Sequence, residues 1–491
     1  MGPMHAVKLA VIAMLTLTAA RAAAQSPSAD RLYVASCVSC HGDKGQGSDQ
    51  AKTLLTDDLM DPALDRRFFD AIRGKADGVP DHDFSDRHTP AQSWSIVNYI
   101  RELQYNDRRR RVEPPKPDAQ GVYRSQHHAF TLETVIDRGA VETPWSVAFL
   151  PDGRMLVTER PGGVRVHSSG KPGGTLSPPV AGTPKVRDDG QGGMLDVAVH
   201  PNFRENGWVY LSYSHDIDGR GFTRIVRGRI TGPADAPRWS DEQLIFQAKP
   251  EHYTHTGIHF GCRIVFAPDD PTTMFFCVGE RGDGKRAQDL TRPNGKVFRV
   301  KDDGSIPRDN PFVDVPDAYP AIWSYGHRNP QGLAFDPQGR LWSTEHGPRG
   351  GDELNQVTRG RNYGWDRVSF GMHYSGQALE TPWPDRPATA TEPLTEGAIV
   401  MPVYRWLPSI AACGLDSVTG AAFPQWRGDL LAGGLIRQTV QRFRIDDGKV
   451  VEREEILDGL GRVRDVVTAP DGTIYVALNE PDKIVRLVPS R

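Results

Sequence analysis

Cys37-Val38-Ser39-Cys40-His41 sets two thiols three residues apart, with an imidazole directly after the second. This is the spacing of covalent haem attachment. Cys37 and Cys40 form thioethers with the haem vinyl groups, and His41 ligates the iron. A zinc knuckle or a redox dithiol would use the same residue types. Zinc needs a second ligand pair at similar spacing, and no later C-x-x-C or C-x-x-H occurs. The segment is read as the site of haem c, a bound one-electron carrier. The rest of the chain then supplies or uses electrons.

Other chemically capable residues gather in glycine-rich segments: 256–263 with His259, 325–332 with Arg328 and Asn329, 345–353 with Gly347 and Pro348, and Arg462-Val463-Arg464-Asp465. Each alone reads as a solvated loop with arginines paired to nearby acids. Brought to one face, they put arginines, a histidine and an acid pair together, a combination suited to a polyanionic ligand.

Two kinds of element must position these residues. Apolar residues three and four apart predict helices at 30–36, 65–73 and 92–103 around the haem segment. From residue 132 onward the chain repeats a strand, a Pro-Asp-Gly-like turn and a second strand. The copies are 146–158, 195–202, 263–269, 332–342 and 465–476, with a looser one at 420–431. Repeated antiparallel hairpins at long, irregular spacing predict propeller blades rather than a sandwich. Six copies give an all-β six-bladed propeller, preceded by a small all-α haem domain. First strands would line the central channel, and the loops between blades would gather at one end.

The chain has 491 residues, more than one hydrophobic core usually holds. The expected division is a signal peptide at 1–24, a haem domain at 25–106, a charged, proline-rich linker at 107–128 and the propeller at 129–491. Residues 1–24 carry Lys8, a short apolar run and Ala22-Ala23-Ala24, the pattern of a cleaved secretory signal. A periplasmic location is expected, with no membrane span. The net charge of −3 does not indicate a nucleic-acid partner. Of 5 cysteines, two belong to the haem. Cys262 and Cys277 flank a hairpin and could meet across it, and reduced buried thiols are the expectation for them and for Cys413.

The first segment resembles a class I cytochrome c. In that family a methionine in a turn before the last helix is the sixth iron ligand. Here Gly78-Val79-Pro80-Asp81-His82-Asp83-Phe84 has Val79 in that place, which leaves His82, His88 and Met60 as candidates. The second segment resembles the soluble PQQ-dependent glucose/aldose sugar dehydrogenases, the glucose/sorbosone dehydrogenase family. The motifs are Gly190-Gln191-Gly192-Gly193, His259-Phe260-Gly261, Gly326-His327-Arg328-Asn329-Pro330-Gln331-Gly332, Gly347-Pro348, Asn362-Tyr363-Gly364-Trp365 and Arg462-Val463-Arg464-Asp465, in family order.

The resemblance implies oxidation of an aldose at the anomeric carbon to its lactone. It makes His259 the general base and Arg328 the charge-stabilising group beside the quinone. Gln191 and Asn329 become polar contacts, and Arg462 and Arg464 hold the carboxylates of PQQ. The Gly347 and Pro348 carbonyls become Ca2+ ligands. Ile436 stands where the family has a lysine, so either Arg437 compensates or the cofactor is held more weakly. Cys262 stands where glycine is usual. Electrons would pass to the haem and on to a soluble cytochrome or a respiratory oxidase. Two other classes stay open: a calcium-dependent lactonase-like propeller, which would need metal-binding acids in the channel, and a non-catalytic sugar-binding or electron-transfer protein. Eight-bladed quinoprotein alcohol dehydrogenases are disfavoured, because no adjacent cysteine pair exists.

Overall fold

The computed structural model describes residues 26–79, 82–379, 387–393 and 395–490. The expected signal peptide lies outside the described residues, as do Pro80 and Asp81 of the turn carrying His82. The haem domain is built from α1 (Ala29–Ser36), α2 (Val38–His41), α3 (Asp65–Ile72) and α4 (Pro90–Arg111). Thr89 starts α4 with a reciprocal cap: Gln92 N–H donates to the Thr89 hydroxyl and Thr89 N–H to the Gln92 side chain, at 3.2 and 2.9 Å. Pro90 follows at the first helical position, where no amide donor is needed.

α4 runs eight residues past its expected end at 103, through the arginine run assigned to the linker. Local charge explains this. Arg111 pairs with Asp107 one turn earlier at 2.6 Å, and four arginines in the last turn complement the negative helix end. Arg109 is also anchored on Asp458 of the propeller at 2.7 Å. The span without helix or strand is therefore only 112–121, and Val122–Arg124 is already a propeller strand.

Six antiparallel sheets follow one another around a ring. Blade 1 is Pro144–Phe149, Met155–Glu159 and Val164–His167, and blade 2 spans Met194–Val199 to Arg238–Gln247. Blade 3 runs from Ile264–Phe266 to Ile322–Tyr325 and blade 4 from Pro330–Phe335 to Tyr404–Trp406. Blade 5 runs from Ala412–Ser417 to Lys449–Asp458. Blade 6 joins both ends of the propeller: Arg462–Thr468, Ile474–Asn479 and Lys483–Pro489 are completed by Ala129–Ile136 and Val122–Arg124, with Leu132 paired to Leu487. This pairing closes the ring by joining its two ends in one sheet. The looser repeat falls differently from expectation. Blade 5's first strand is Ala412–Ser417, and 420–429 is its hairpin loop, where Pro424 opens a short helical turn.

Acidic side chains on the inner strands latch neighbouring blades. Asp196 of blade 2 accepts the Ile264 N–H of blade 3 at 2.7 Å, and Asp465 of blade 6 accepts the Val147 N–H of blade 1 at 3.0 Å. Buried Arg263 sits between these two acids, 2.8 Å from Asp196 and 3.1 Å from Asp465. It fills the channel beneath the loops with a compensated charge.

The haem domain shares its core with the propeller. Leu32, Tyr33, Phe69, Trp94, Val97 and Ile100 form one apolar cluster with Val368, Phe370 and Ile399. Trp94 Nε1–H donates to the Phe370 carbonyl at 3.0 Å. Beside it, buried Asp65 accepts from Arg101 at 2.7 Å and from Arg405 of blade 4 at 3.1 Å. Asp65→Asn would remove the buried carboxylate that both guanidinium groups share. The expected cost is about 3–5 kcal/mol, read as a lowered urea midpoint in unfolding followed through the haem absorbance.

Candidate active site and haem pocket

His259 stands in the loop entering blade 3 with φ +57°, in the left-handed region. Its amide donates to Gln191 Oε1 at 2.8 Å, and the Gln191 amide donates to the Gly257 carbonyl at 2.7 Å. Gly261, at φ +65°, lets the chain turn where a Cβ would lie 2.7 Å from the Gly279 nitrogen. Asn329 Oδ1 holds the same turn through the Gly261 amide at 3.2 Å. Gln191 and Asn329, expected as ligand contacts, thus also position the histidine backbone.

The His259 Nδ1 contacts the carboxylate of buried Glu280. A carboxylate there accepts the Nδ1 proton and leaves the Nε2 lone pair as the base. Burial pulls the His259 pKa below its ordinary value, Glu280 opposes this, and the nearby Arg328 charge adds to the lowering. Glu280 was not foreseen. Its signal in the sequence is a charged residue directly after the apolar strand Thr273–Val278 and Gly279.

Arg328 is buried over the Trp365 ring, 5.3 Å from its centroid. Its Nη1 donates to the carbonyls of His346 and Gly347 at 3.1 and 2.8 Å, and its Nε is buried without a partner among the described residues. Its amide contacts Glu345, which also accepts from His327 Nδ1 at 2.9 Å, with the far ring nitrogen on Ser324. His346 lies among Arg328, His259 and Arg464. Burial, together with these neighbours, pushes its pKa down to about 3, so the ring is neutral.

Arg464 is largely buried, with an orphaned Nε, and its pKa is lowered by burial beside Arg462 and Arg160. Among the described residues, neither Arg462 nor Arg464 has a carboxylate within ion-pair distance. Cations gathered without counter-ions fit a multiply anionic ligand. Arg160, whose charge also lowers the Arg464 pKa, is paired with Asp188 at 3.4 Å; its segment carries no motif. The Arg437 guanidinium is 4.3 Å over the Tyr105 ring of α4. Adjacent Ile436 is 61% exposed. Arg437 thus makes a contact between the two domains.

Gly347 and Pro348 follow blade 4's second strand. The Gly347 amide donates to buried Asp352 at 2.9 Å, and Ser409 bridges Asp352 and the Pro348 carbonyl at 2.7 and 3.2 Å. Both carbonyls therefore sit on a fixed backbone. Among the described residues no cluster of three or more His, Cys, Asp or Glu is placed to hold a metal. A hard cation at these carbonyls would complete its shell with ligand and water oxygens, a donor set that suits Ca2+.

The next residues reach the haem domain. Arg349 makes a bidentate pair with Glu102 of α4 at 2.8 and 2.7 Å. Gly350 lies so close to α4 that a Cβ would be 2.5 Å from Asn98 Oδ1. Within the haem domain, Cys37 directly precedes α2 and Cys40 lies within it, one residue before its last, His41, and the Tyr33 hydroxyl donates to the Gly42 carbonyl at 3.0 Å. His82 faces His41. The Cys262 amide donates to the Cys277 carbonyl at 2.8 Å, so these two residues do meet across the hairpin, as buried free thiols, and Cys413 is likewise buried and free.

A propeller of this topology, with a buried His–Glu pair beside arginines at its mouth, defines a class that comparison with known proteins identifies. The glucose/sorbosone dehydrogenase family model matches residues 141–486, and the cytochrome c oxidase cbb3-type subunit III model matches 24–100. The chain belongs to the glucose/sorbosone dehydrogenase family and carries an N-terminal cytochrome c domain. It is 39% identical over 358 residues to aldose sugar dehydrogenase YliI of Escherichia coli, covering 71% of this chain and 91% of that one. The crystal structure of the soluble E. coli aldose sugar dehydrogenase in its apo form aligns with a TM-score of 0.64 and 36% identity, over 74% of this chain and all of that one. The PQQ-bound aldose sugar dehydrogenase of Streptomyces coelicolor aligns with a TM-score of 0.57 and 26% identity, over 74% and 98%.

Proposed function

We propose that the protein oxidises an aldose at the anomeric carbon to its lactone, with PQQ and Ca2+ at the propeller mouth and haem c as the internal electron acceptor. The observation that carries this reading is the buried His259–Glu280 pair set beside guanidinium groups that lack counter-ions. His259 Nε2 takes the proton of the anomeric hydroxyl, and Glu280 holds the ring in the tautomer that can do so. Arg328 stabilises negative charge that develops as the sugar is oxidised. Arg462 and Arg464 bind cofactor carboxylates, and the Gly347 and Pro348 carbonyls hold the cation. When bound, PQQ supplies the hydride acceptor. Loss of sugar-dependent dye reduction on withholding PQQ and Ca2+, and its return on adding them, is the expected result. Protein that oxidises no aldose when loaded with both rejects the reading.

Segment 345–350 supports an internal route: it touches Arg328 at one end and the cytochrome helix at the other. Haem takes electrons one at a time, and tethering keeps its effective concentration high. Sugar added at saturation to the holoenzyme should reduce the haem, in stopped flow, at a rate independent of protein concentration. A rate that climbs with concentration rejects intramolecular transfer. Onward transfer to a soluble cytochrome or a respiratory oxidase in the periplasm completes the proposal. No helix among the described residues is long and apolar enough to cross a membrane. A lactonase-like alternative needs channel acids available to a metal, whereas Asp196 and Asp465 are both engaged by Arg263.

A further inference from the structure

We propose that His82 is the second axial ligand of the haem iron, so that the cytochrome domain carries a bis-histidine haem c. This rests on the reading of Cys37, Cys40 and His41 as the haem attachment site. The two imidazoles face each other, with Nε2 atoms 3.5 Å apart, ring centroids 5.8 Å apart and planes at 50°. One metal ion bonded by two imidazoles from opposite sides holds those nitrogens about 4 Å apart, twice a metal–imidazole bond of about 2.0 Å. The observed spacing is close to that requirement, and the turn offers Val79 where a methionine would stand.

The competing ligands are engaged elsewhere. His88 Nε2 is bonded to the Ser36 hydroxyl at 2.9 Å, its ring stacks on Phe84, and its carbonyl accepts from Arg73 at 2.6 Å. Phe84 in turn packs against the His82 ring at 6.3 Å, and its amide is tied to the Ile72 carbonyl at 3.0 Å. His88 is thus a support for the turn that presents His82. Met60 ends the short helix Asp57–Met60 and lines the cleft shared with Tyr404 and Arg405 of blade 4.

Two imidazoles fill both axial positions, so the iron serves electron transfer rather than ligand binding. They also lower the reduction potential relative to a methionine–histidine haem. The test is the spectrum of the purified ferric holoprotein, which needs neither sugar nor PQQ and so stands apart from the dehydrogenase reading. The expected wild-type spectrum is low-spin, without the weak sulfur-to-iron band at the red end. His82→Met should introduce that band and raise the midpoint potential. His82→Ala should become high-spin and bind cyanide rapidly. Met60→Leu should leave the wild-type spectrum unchanged. A sulfur band or a high-spin signal in the wild type overturns the proposal, as does a low-spin bis-imidazole spectrum retained by His82→Ala. Protein without covalent haem overturns the attachment reading and this inference with it.

Discussion

His259→Asn lowers kcat for aldose oxidation by about 10²–10⁴-fold, the contribution typical of a positioned proton acceptor. Asparagine suits this test because it tolerates the left-handed backbone conformation at φ +57°. It removes the basic nitrogen and leaves the Gln191 and Asn329 contacts, which hold the backbone of this turn rather than the ring. Haem content and PQQ affinity should be unchanged, so the loss appears in kcat. The pH profile adds a check. Burial lowers the pKa of His259, so the base stays deprotonated below the ordinary histidine value of about 6.5. The acid limb of kcat/KM should therefore lie below that value, with activity lost as pH falls through the lowered pKa. Glu280→Gln removes an anion that favours the imidazolium, and the acid limb should move lower still while kcat falls. Wild-type turnover retained by His259→Asn would remove this residue from the chemistry.

Arg328→Ala should lower kcat by about 10²–10³-fold, the loss seen when one group that stabilises developing charge is removed from a desolvated site. The guanidinium is buried, stacks on Trp365 and reaches the Gly347 carbonyl. Two effects must be separated. Loss of the charge lowers kcat at saturating PQQ and Ca2+, whereas disturbance of the 346–348 backbone raises the concentration of Ca2+ needed for activity. Arg328→Lys keeps a cation but not the planar fork, so it should recover only part of kcat. An Ala variant with full kcat and a higher Ca2+ requirement alone would make Arg328 a scaffold residue.

Much of this molecule was legible because its signals are local. Tight turns between alternating apolar residues announced the blades, since a hairpin declares itself within a dozen residues. The cytochrome c domain was legible for the same reason. Blade 5 was misplaced because Ala422-Phe423-Pro424 in its hairpin loop, 420–429, imitates the strand-then-turn pattern of the other copies, and burial of the true strand Ala412–Ser417 depends on its neighbours. α4 was drawn too short because four consecutive arginines look like a solvated linker until Asp107 and Asp458 are seen to hold them. Glu280, Arg160 and His346 carry no spacing rule that ties them to His259 or Arg464.

By itself, then, the sequence settled which residue types are present, the ring of hairpins and the two-domain order, because these follow from periodicity and short-range spacing. Only the tertiary structure decided which side chains share a desolvated pocket. It placed Arg437 over Tyr105, set Glu280 against His259, faced His82 toward His41, and packed the cytochrome core against Val368, Phe370 and Ile399. Such pairings join residues tens to hundreds of positions apart. They are selected by burial and charge compensation across the whole molecule, which no local pattern records.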